Sequence, residues 1–299
     1  MKRWQLTPTQ SENLAAYLFL TPWFIGLVLI TAGPVLASLY LAFTNYNILG
    51  APEWIGSANF VDMFTDDKRY WNSVRVTLQY VFFSVPMIMV FALALAVFLN
   101  RGLRGLALYR SIFYVPSLIG TSVAIAFLWR QLFGRDGIIN VILSWFGIQG
   151  KSWVGTPSTA TWVLIILAVW TFGASMVIFL AALRQIPEEY YEAASIDGAG
   201  SLKKFFYITL PQLTPVIFFN LILLMIRSFQ TFTQASVVSL GTGGPLDRTL
   251  LYTLYLYQRA FVQLDMGYSA AMAWVLLTTV AIFTAILFWS AKYWVFYEN

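Results

Sequence analysis

Six apolar runs, at roughly 15–42, 76–99, 106–129, 158–183, 212–238 and 268–291, govern what this chain can fold into. Each reaches the ~20 residues that an α-helix needs to cross about 30 Å of hydrocarbon. In lipid every backbone N–H and C=O must find its partner within the protein, so runs of this length fold as helices. The expected fold is therefore all-α, a polytopic membrane protein with six transmembrane helices. A charged fraction of 10% and a mean hydropathy of +0.71 agree with that class. The layout expected is a short N-terminal segment, 1–14, and a single six-helix domain, 15–299, with polar interruptions at about 184–211 and 239–267. The first run is longer than the ~7–15 residues of a signal-peptide core and no A-x-A site closes it, so it reads as a retained anchor. Pro22, Pro34, Pro86, Pro116 and Pro215 fall in or near the ends of the runs and point to kinked, bundled helices.

Residue types that are missing narrow the chemistry. Cysteine and histidine are both absent, which removes disulfides, Cys/His metal sites, thiol nucleophiles and a Ser-His-Asp triad. No metal site, no cofactor on this chain and no enzymatic role are expected. The net charge of +5 comes from scattered loop residues and gives nucleic-acid binding no support. A G-x-x-x-x-G-K-[ST] sequence is absent, so ATP would have to act on another chain. A secondary carrier or channel is the rival class, yet no run holds an acid in its interior to carry a proton, and no inverted repeat is visible. An intramembrane enzyme would lack both His or Cys and paired core carboxylates.

Six spans put both termini on one side. Lys/Arg totals on the two sides are nearly equal and decide nothing. Locally, Lys2 and Arg3 precede the first run, and the short second loop holds Arg101, Arg104 and Arg110 without an acid. By the positive-inside rule these favour a cytoplasmic N-terminus.

Between runs four and five, Pro187-Glu188-Glu189 reads as a helix start, with proline at the first helical position and acids where the helix dipole favours them. Asp197-Gly198 ends that helix, Ser201 caps a second short helix over Leu202–Thr209, and Pro211 opens the next segment. The spacing Glu192-Ala193-Ala194, three residues, Gly198, nine residues, Ile208-x-Leu210-Pro211 resembles the EAA loop of permease subunits of binding-protein-dependent ABC importers. A solvated linker would account for a lone E-A-A; the whole spacing favours a docking element. The resemblance implies a type I importer permease of MetI-like fold with a cytoplasmic coupling helix pair. It assigns ATPase coupling to Glu192, Ala193, Ala194, Asp197, Gly198, Leu210 and Pro211.

A second pattern, Ser228-Phe229-Gln230-Thr231-Phe232, then Gly241-Thr242-Gly243-Gly244-Pro245, then Thr249 and Tyr255-x-Tyr257-x-x-Ala260-Phe261, resembles sugar-importer permeases of the MalF and UgpA kind. The first outer loop, roughly 43–75, is short, so the chain looks like the minimal six-helix form. This resemblance implies transport of a sugar, di- or oligosaccharide, by alternating access. It implies as partners a second permease of the MalG or UgpE type, two ABC ATPase subunits carrying ATP and Mg, and an extracytoplasmic binding protein. The setting would be a bacterial or archaeal cytoplasmic membrane, with both termini cytoplasmic. Substrate positions carried over are Ile226, Phe229, Gln230 and Thr233, with Trp170, Phe172 and Ser175 from run four; Phe229, Gln230 and Thr233 also stand out on polarity and aromatic character. Helix–helix packing is the other reading for these side chains. Gly243, Gly244 and Pro245 are expected to help dock the binding protein. A charge at the depth of Arg227 costs at least ~2.5–3.5 kcal/mol, so it is expected either to meet a partner subunit or to face an anionic substrate such as a sugar acid or glycerol phosphate.

Overall fold

The computed structural model describes residues 8–101 and 105–296. Lys2, Arg3 and Arg104, three of the charges that bear on orientation, lie outside the described residues, as do residues 1–7 of the expected N-terminal segment. The described chain divides into two compact units, one made of the residues up to Thr65 with Arg259–Val275, the other of Asp66–Gln258 with the residues from Leu276 onward.

In the first unit α1 (Pro8–Gly26) passes through a wider π-helical stretch, Leu27–Ala32, into α2 (Gly33–Leu41). Leucine, isoleucine and phenylalanine point outward on all sides, Phe19 with 87% exposure, as suits a helix whose solvent is lipid. A two-residue ribbon follows, β1 (Thr44–Asn45) antiparallel to β2 (Glu53–Trp54), with Thr44 opposite Trp54. Asn59, on α3 (Ala58–Thr65), donates from Nδ2 to the carbonyls of Ala42 and Thr44, both at 2.9 Å. That buried amide closes the turn where the chain leaves the apolar run.

The second unit opens with α4 (Lys68–Leu99). It starts well ahead of the apolar run because the Asp67 carboxylate accepts from the N–H groups of Arg69 and Tyr70, both at 2.9 Å; a capped polar turn is invisible to hydropathy. Run three is a pair, α5 (Leu106–Ile119) and α6 (Val123–Leu132), meeting at 100° rather than forming one straight span, and α7 (Ile138–Trp145) follows. Run four is also a pair, α8 (Ala160–Trp170) and α9 (Gly173–Leu183), bent by 41°. Among the described residues four helices could each cross a bilayer by length and composition, or up to six spans if each bent pair counts as one. Ala92 and Ala96 on α4 form the small face against which Met176, Phe179 and Leu180 of α9 pack, the close approach by which membrane helices associate.

Beyond α9 come α10 (Glu188–Ile196), α11 (Ser201–Lys204), a π-helical turn Phe205–Thr209 and α12 (Leu210–Phe229). Here three sequence expectations are corrected. Ser201 is the first helical residue, preceded by Gly200, and its side chain caps nothing. Pro187 sits at the N-cap, one place earlier than expected. Pro211 opens no new segment, because Ser201–Phe229 is one continuous helix. A proline crowds the carbonyl one turn back and lacks an N–H. The wider turn just before it, where the Leu210 N–H reaches the Phe205 carbonyl, supplies the room. The chain continues through α13 (Thr233–Val238), α14 (Tyr252–Tyr257) and α15 (Met266–Trp294).

Candidate functional site

Three interruptions of helix in the second unit face one cleft. They lie at Gly120–Ser122 between α5 and α6, at Thr171–Phe172 between α8 and α9, and at Gln230–Phe232 between α12 and α13. Broken backbone at membrane depth survives only where protein groups or a wet cavity satisfy it. Ser117 does so for the second break: its hydroxyl donates to the Thr171 carbonyl at 3.0 Å and accepts the Ala174 N–H at 2.9 Å. Gln234 donates from Nε2 to the Gly120 carbonyl at 3.4 Å, and Thr253 donates to the Thr231 carbonyl at 2.5 Å. Ser117→Ala is expected to lower stability by about 1–3 kcal/mol through the two orphaned backbone groups, read as a fall in the melting temperature of the purified chain, whereas Ser117→Thr keeps the hydroxyl and the stability.

The cleft measures about 400 Å³. Ser117, Thr121, Thr171 and Ser175 line one side and Gln230, Thr231, Thr233 and Gln234 another, with Tyr80, Leu167 and the Phe232 ring as apolar surface. Of the residues expected at a substrate site, Ser175, Arg227, Gln230 and Thr233 meet here. The others point elsewhere: Phe229 is buried with its ring 5.4 Å from Phe283, Trp170 packs 5.3 Å from Trp129, and Phe172 lies 6.3 Å from Phe113. Ile226 is half-buried and outside the lining. Ser117, Thr121 and Tyr80 are cleft residues outside runs four and five, and Gln234, within run five, is one that the expected set omits. The Gly120-Thr121-Ser122 triplet in run three is the sequence signal for Thr121 and the nearby Ser117, and Gln234 carries its own as an amide in an apolar run. Arg227 is exposed on the cleft and, among the described residues, in no ion pair.

The expected coupling residues gather on α10 and the turn after it. Glu188 and Glu189 fill its first turn and Asp197 its C-cap. The Gly198 N–H reaches the Ser195 carbonyl at 3.0 Å and the Ala199 N–H the Ala194 carbonyl at 2.8 Å, with Gly198 at φ +75°. This Schellman ending requires a left-handed residue at that position. Glu192 and Ala193 are exposed, Ala194 half-buried, and Ile196 stands 88% exposed beside them. Leu210 and Pro211 are half-buried at the head of α12.

Around Gly243, Gly244 and Pro245 the loop is tied rather than loose. The Gly243 carbonyl accepts from the Thr249 N–H at 2.9 Å and its hydroxyl at 2.8 Å, the Gly244 N–H donates to Thr242 Oγ1 at 3.2 Å, and Pro245 opens a single 3₁₀ turn. Arg69 grips the loop with a two-pronged contact to Asp247, 2.7 and 2.9 Å, and donates to the Thr242 carbonyl at 3.2 Å.

The sequence matches the family of binding-protein-dependent transport system inner membrane components over residues 65–295. It is 53% identical over 291 residues to the "Probable ABC transporter permease protein YesP" of Bacillus subtilis (strain 168), covering 97% of this chain and 94% of that one. To the "Lactose transport system permease protein LacF" of Rhizobium radiobacter it is 32% identical over 286 residues, with 94% and 95% covered. A chain in the crystal structure of a bacterial alginate ABC transporter in complex with an alginate pentasaccharide-bound periplasmic protein has the same fold, with a TM-score of 0.80 at 20% identity over 94% of this chain and 95% of that one.

Proposed function

The chain belongs to the inner-membrane components of binding-protein-dependent transport systems, and from that membership we propose that it is the permease subunit of an ATP-driven sugar importer. The observation that carries the proposal is the cleft where three broken helices meet. A di- or oligosaccharide stripped of water needs a hydrogen-bond partner for each hydroxyl it buries. Gln230, Gln234, Thr231, Thr233 and Ser175 offer amides and hydroxyls together, while Phe232 offers a flat face for sugar C–H groups. The lactose permease of Rhizobium radiobacter, similar over nearly its whole length, supports a sugar as the cargo.

On this reading a binding protein delivers the sugar at the face bearing Gly243, Gly244 and Pro245. A second permease completes the path beside Gln230 and Arg227. Two ATPase subunits, which carry the ATP and Mg, receive α10. ATP binding closes the ATPase pair and draws the coupling loops together, so that the bundle opens outward; hydrolysis returns it inward. The membrane is then the cytoplasmic one, with both termini and α10 on the cytoplasmic side.

Arg227 favours a second reading of the cargo, an anionic sugar, because its guanidinium faces the cleft with no carboxylate paired to it among the described residues. Both readings are tested by uptake into proteoliposomes holding the complete complex and its binding protein. Gln230→Leu is expected to cut uptake by tenfold or more, about the ~1.4 kcal/mol of one lost buried hydrogen bond, with the ATPase subunits still attached. Unchanged uptake would remove the cleft from the path. Arg227→Gln is expected to spare a neutral sugar and depress an anionic one; equal loss of both would sink the anionic cargo.

A further inference from the structure

Next to α10 the second unit holds another cavity, of about 710 Å³, whose lining is ordered from apolar to cationic. Val90, Leu93, Ala94 and Val97 of α4 form a wall that ends at Asn100 and Arg101. Tyr191, Ser201 and Lys204 line the same cavity. No acid is among the described lining residues, and neither Arg101 nor Lys204 is in an ion pair among the described residues. Among the described residues Lys204 Nζ donates only to Ser195 Oγ, and no carboxylate compensates its charge there.

The wall from Val90 to Asn100 is about 15 Å deep at the helical rise of 1.5 Å per residue, close to the ~15 Å of one leaflet of a 30 Å hydrocarbon layer. Val90 is 66% exposed and Ala94 is exposed, so the groove opens sideways, where acyl chains would lie. A water-soluble anion would use the two cations and leave the apolar wall empty; a neutral lipid would use the wall and leave the cations bare. We propose that the groove is a site for an anionic phospholipid of the cytoplasmic leaflet, its acyl chain along α4 and its phosphate between Arg101 and Lys204. The leaflet rests on the reading of α10 as the cytoplasmic coupling element.

The position gives such a lipid a task. Tyr191 of α10 shares a 2.9 Å hydrogen bond with the Thr209 hydroxyl in the π-helical turn, and Phe205 and Thr209 of that turn also line the groove. A lipid there touches both sides of the joint between α10 and α12, and it stiffens the connection through which a push on α10 reaches the cleft.

The test uses the complete complex with its ATPase subunits. Native mass spectrometry follows retention of phosphatidylglycerol against phosphatidylcholine, and ATPase activity stimulated by the binding protein is measured in nanodiscs of each lipid. Wild type is expected to retain phosphatidylglycerol selectively and to be more active with it. Arg101→Gln with Lys204→Gln should weaken that retention about thirtyfold, the factor for removing two cations from an anionic lipid surface. Ala94→Trp, at an exposed position, should block the groove without changing charge and abolish the lipid effect on activity. Equal phosphatidylglycerol retention in wild type and both variants would overturn the proposal. So would a photocrosslinker at Leu93 that captures the second permease in place of lipid. If no ATPase subunit joins the wild-type chain, the importer reading fails by itself, and lipid retention by the isolated chain still decides this site.

Discussion

Under the proposed function, Gly198→Val is expected to leave the chain inserted in the membrane and stripped of the ATPase subunits. Gly198 has φ +75°, and a Cβ built there meets nothing within 4 Å. Room is therefore not what the position demands; the left-handed backbone is. An L-residue pays about 1–2 kcal/mol to stay in that region, and a β-branched one more. The Schellman bonds of Gly198 and Ala199 then yield, and α10 ends differently, with Asp197 and exposed Ile196 displaced from the surface they present together. Transport should fall by tenfold or more, because each ~1.4 kcal/mol lost from a docking contact is a factor of ten. Asparagine tolerates the same backbone, so Gly198→Asn should keep most activity. Gentle solubilisation from native membranes, purification through a C-terminal tag and mass spectrometry of what accompanies it read the result. Wild-type ATPase recovery with the valine variant would separate this turn from coupling.

A larger effect on the fold itself is expected from Gly173→Leu. A Cβ at Gly173 would overlap the carbonyl oxygen of Phe113 and come within 2.9 Å of Ser117 Oγ. The first is backbone and cannot swing aside. Substitution must therefore push α9 from α5 and break the Ser117 bridge that closes the gap between α8 and α9. Overpacking of this kind costs about 1–3 kcal/mol or more, added to the lost backbone bonds. The variant should aggregate on extraction, seen as loss of the symmetric peak in size-exclusion chromatography. Gly200→Ala is the contrast, because nothing lies within 4 Å of the added methyl and its φ is −71°. A monodisperse, transporting Gly173→Leu would refute the packing account.

These two glycines differ in how well the sequence announces them. Gly198 acts through a local backbone conformation, so its place after Glu192-Ala193-Ala194 already marks it. Gly173 acts through Phe113, sixty positions away in a helix whose path the hydropathy of run three conceals. The same division holds for the spans. Apolar length finds α4 and α12, but Asp67 decides where α4 begins and Gln230 where α12 ends. Gly120-Thr121-Ser122 leaves the average hydropathy of its run high while turning the helix by 100°. At the cleft, polarity in an apolar run singles out Gln230 and Thr233 without knowledge of the fold, because an amide or hydroxyl at that depth needs a reason, while Ser175 follows only from the family resemblance. Aromatic character does not discriminate in this way: Phe229 and Trp170 satisfy it by packing on Phe283 and Trp129. Ser201 illustrates the converse. Its hydroxyl suits a cap, yet Gly200 takes that position and the helix begins one residue earlier than a capping serine would require.

The unbroken helix from Ser201 to Phe229 carries an obligation that runs in both directions. At 1.5 Å per residue it is a rod of about 44 Å whose one end lies beside α10 and whose other end delivers Gln230 to the cleft. Under the proposed function, whatever free energy ATP contributes to reshaping the cleft through this rod, a molecule held in the cleft must return to the nucleotide site in equal measure, since linkage between two sites is reciprocal. Cargo bound at Gln230 should thus alter nucleotide affinity by the same factor by which nucleotide alters cargo affinity, so the importer's sensing of its sugar is already contained in the way it moves it.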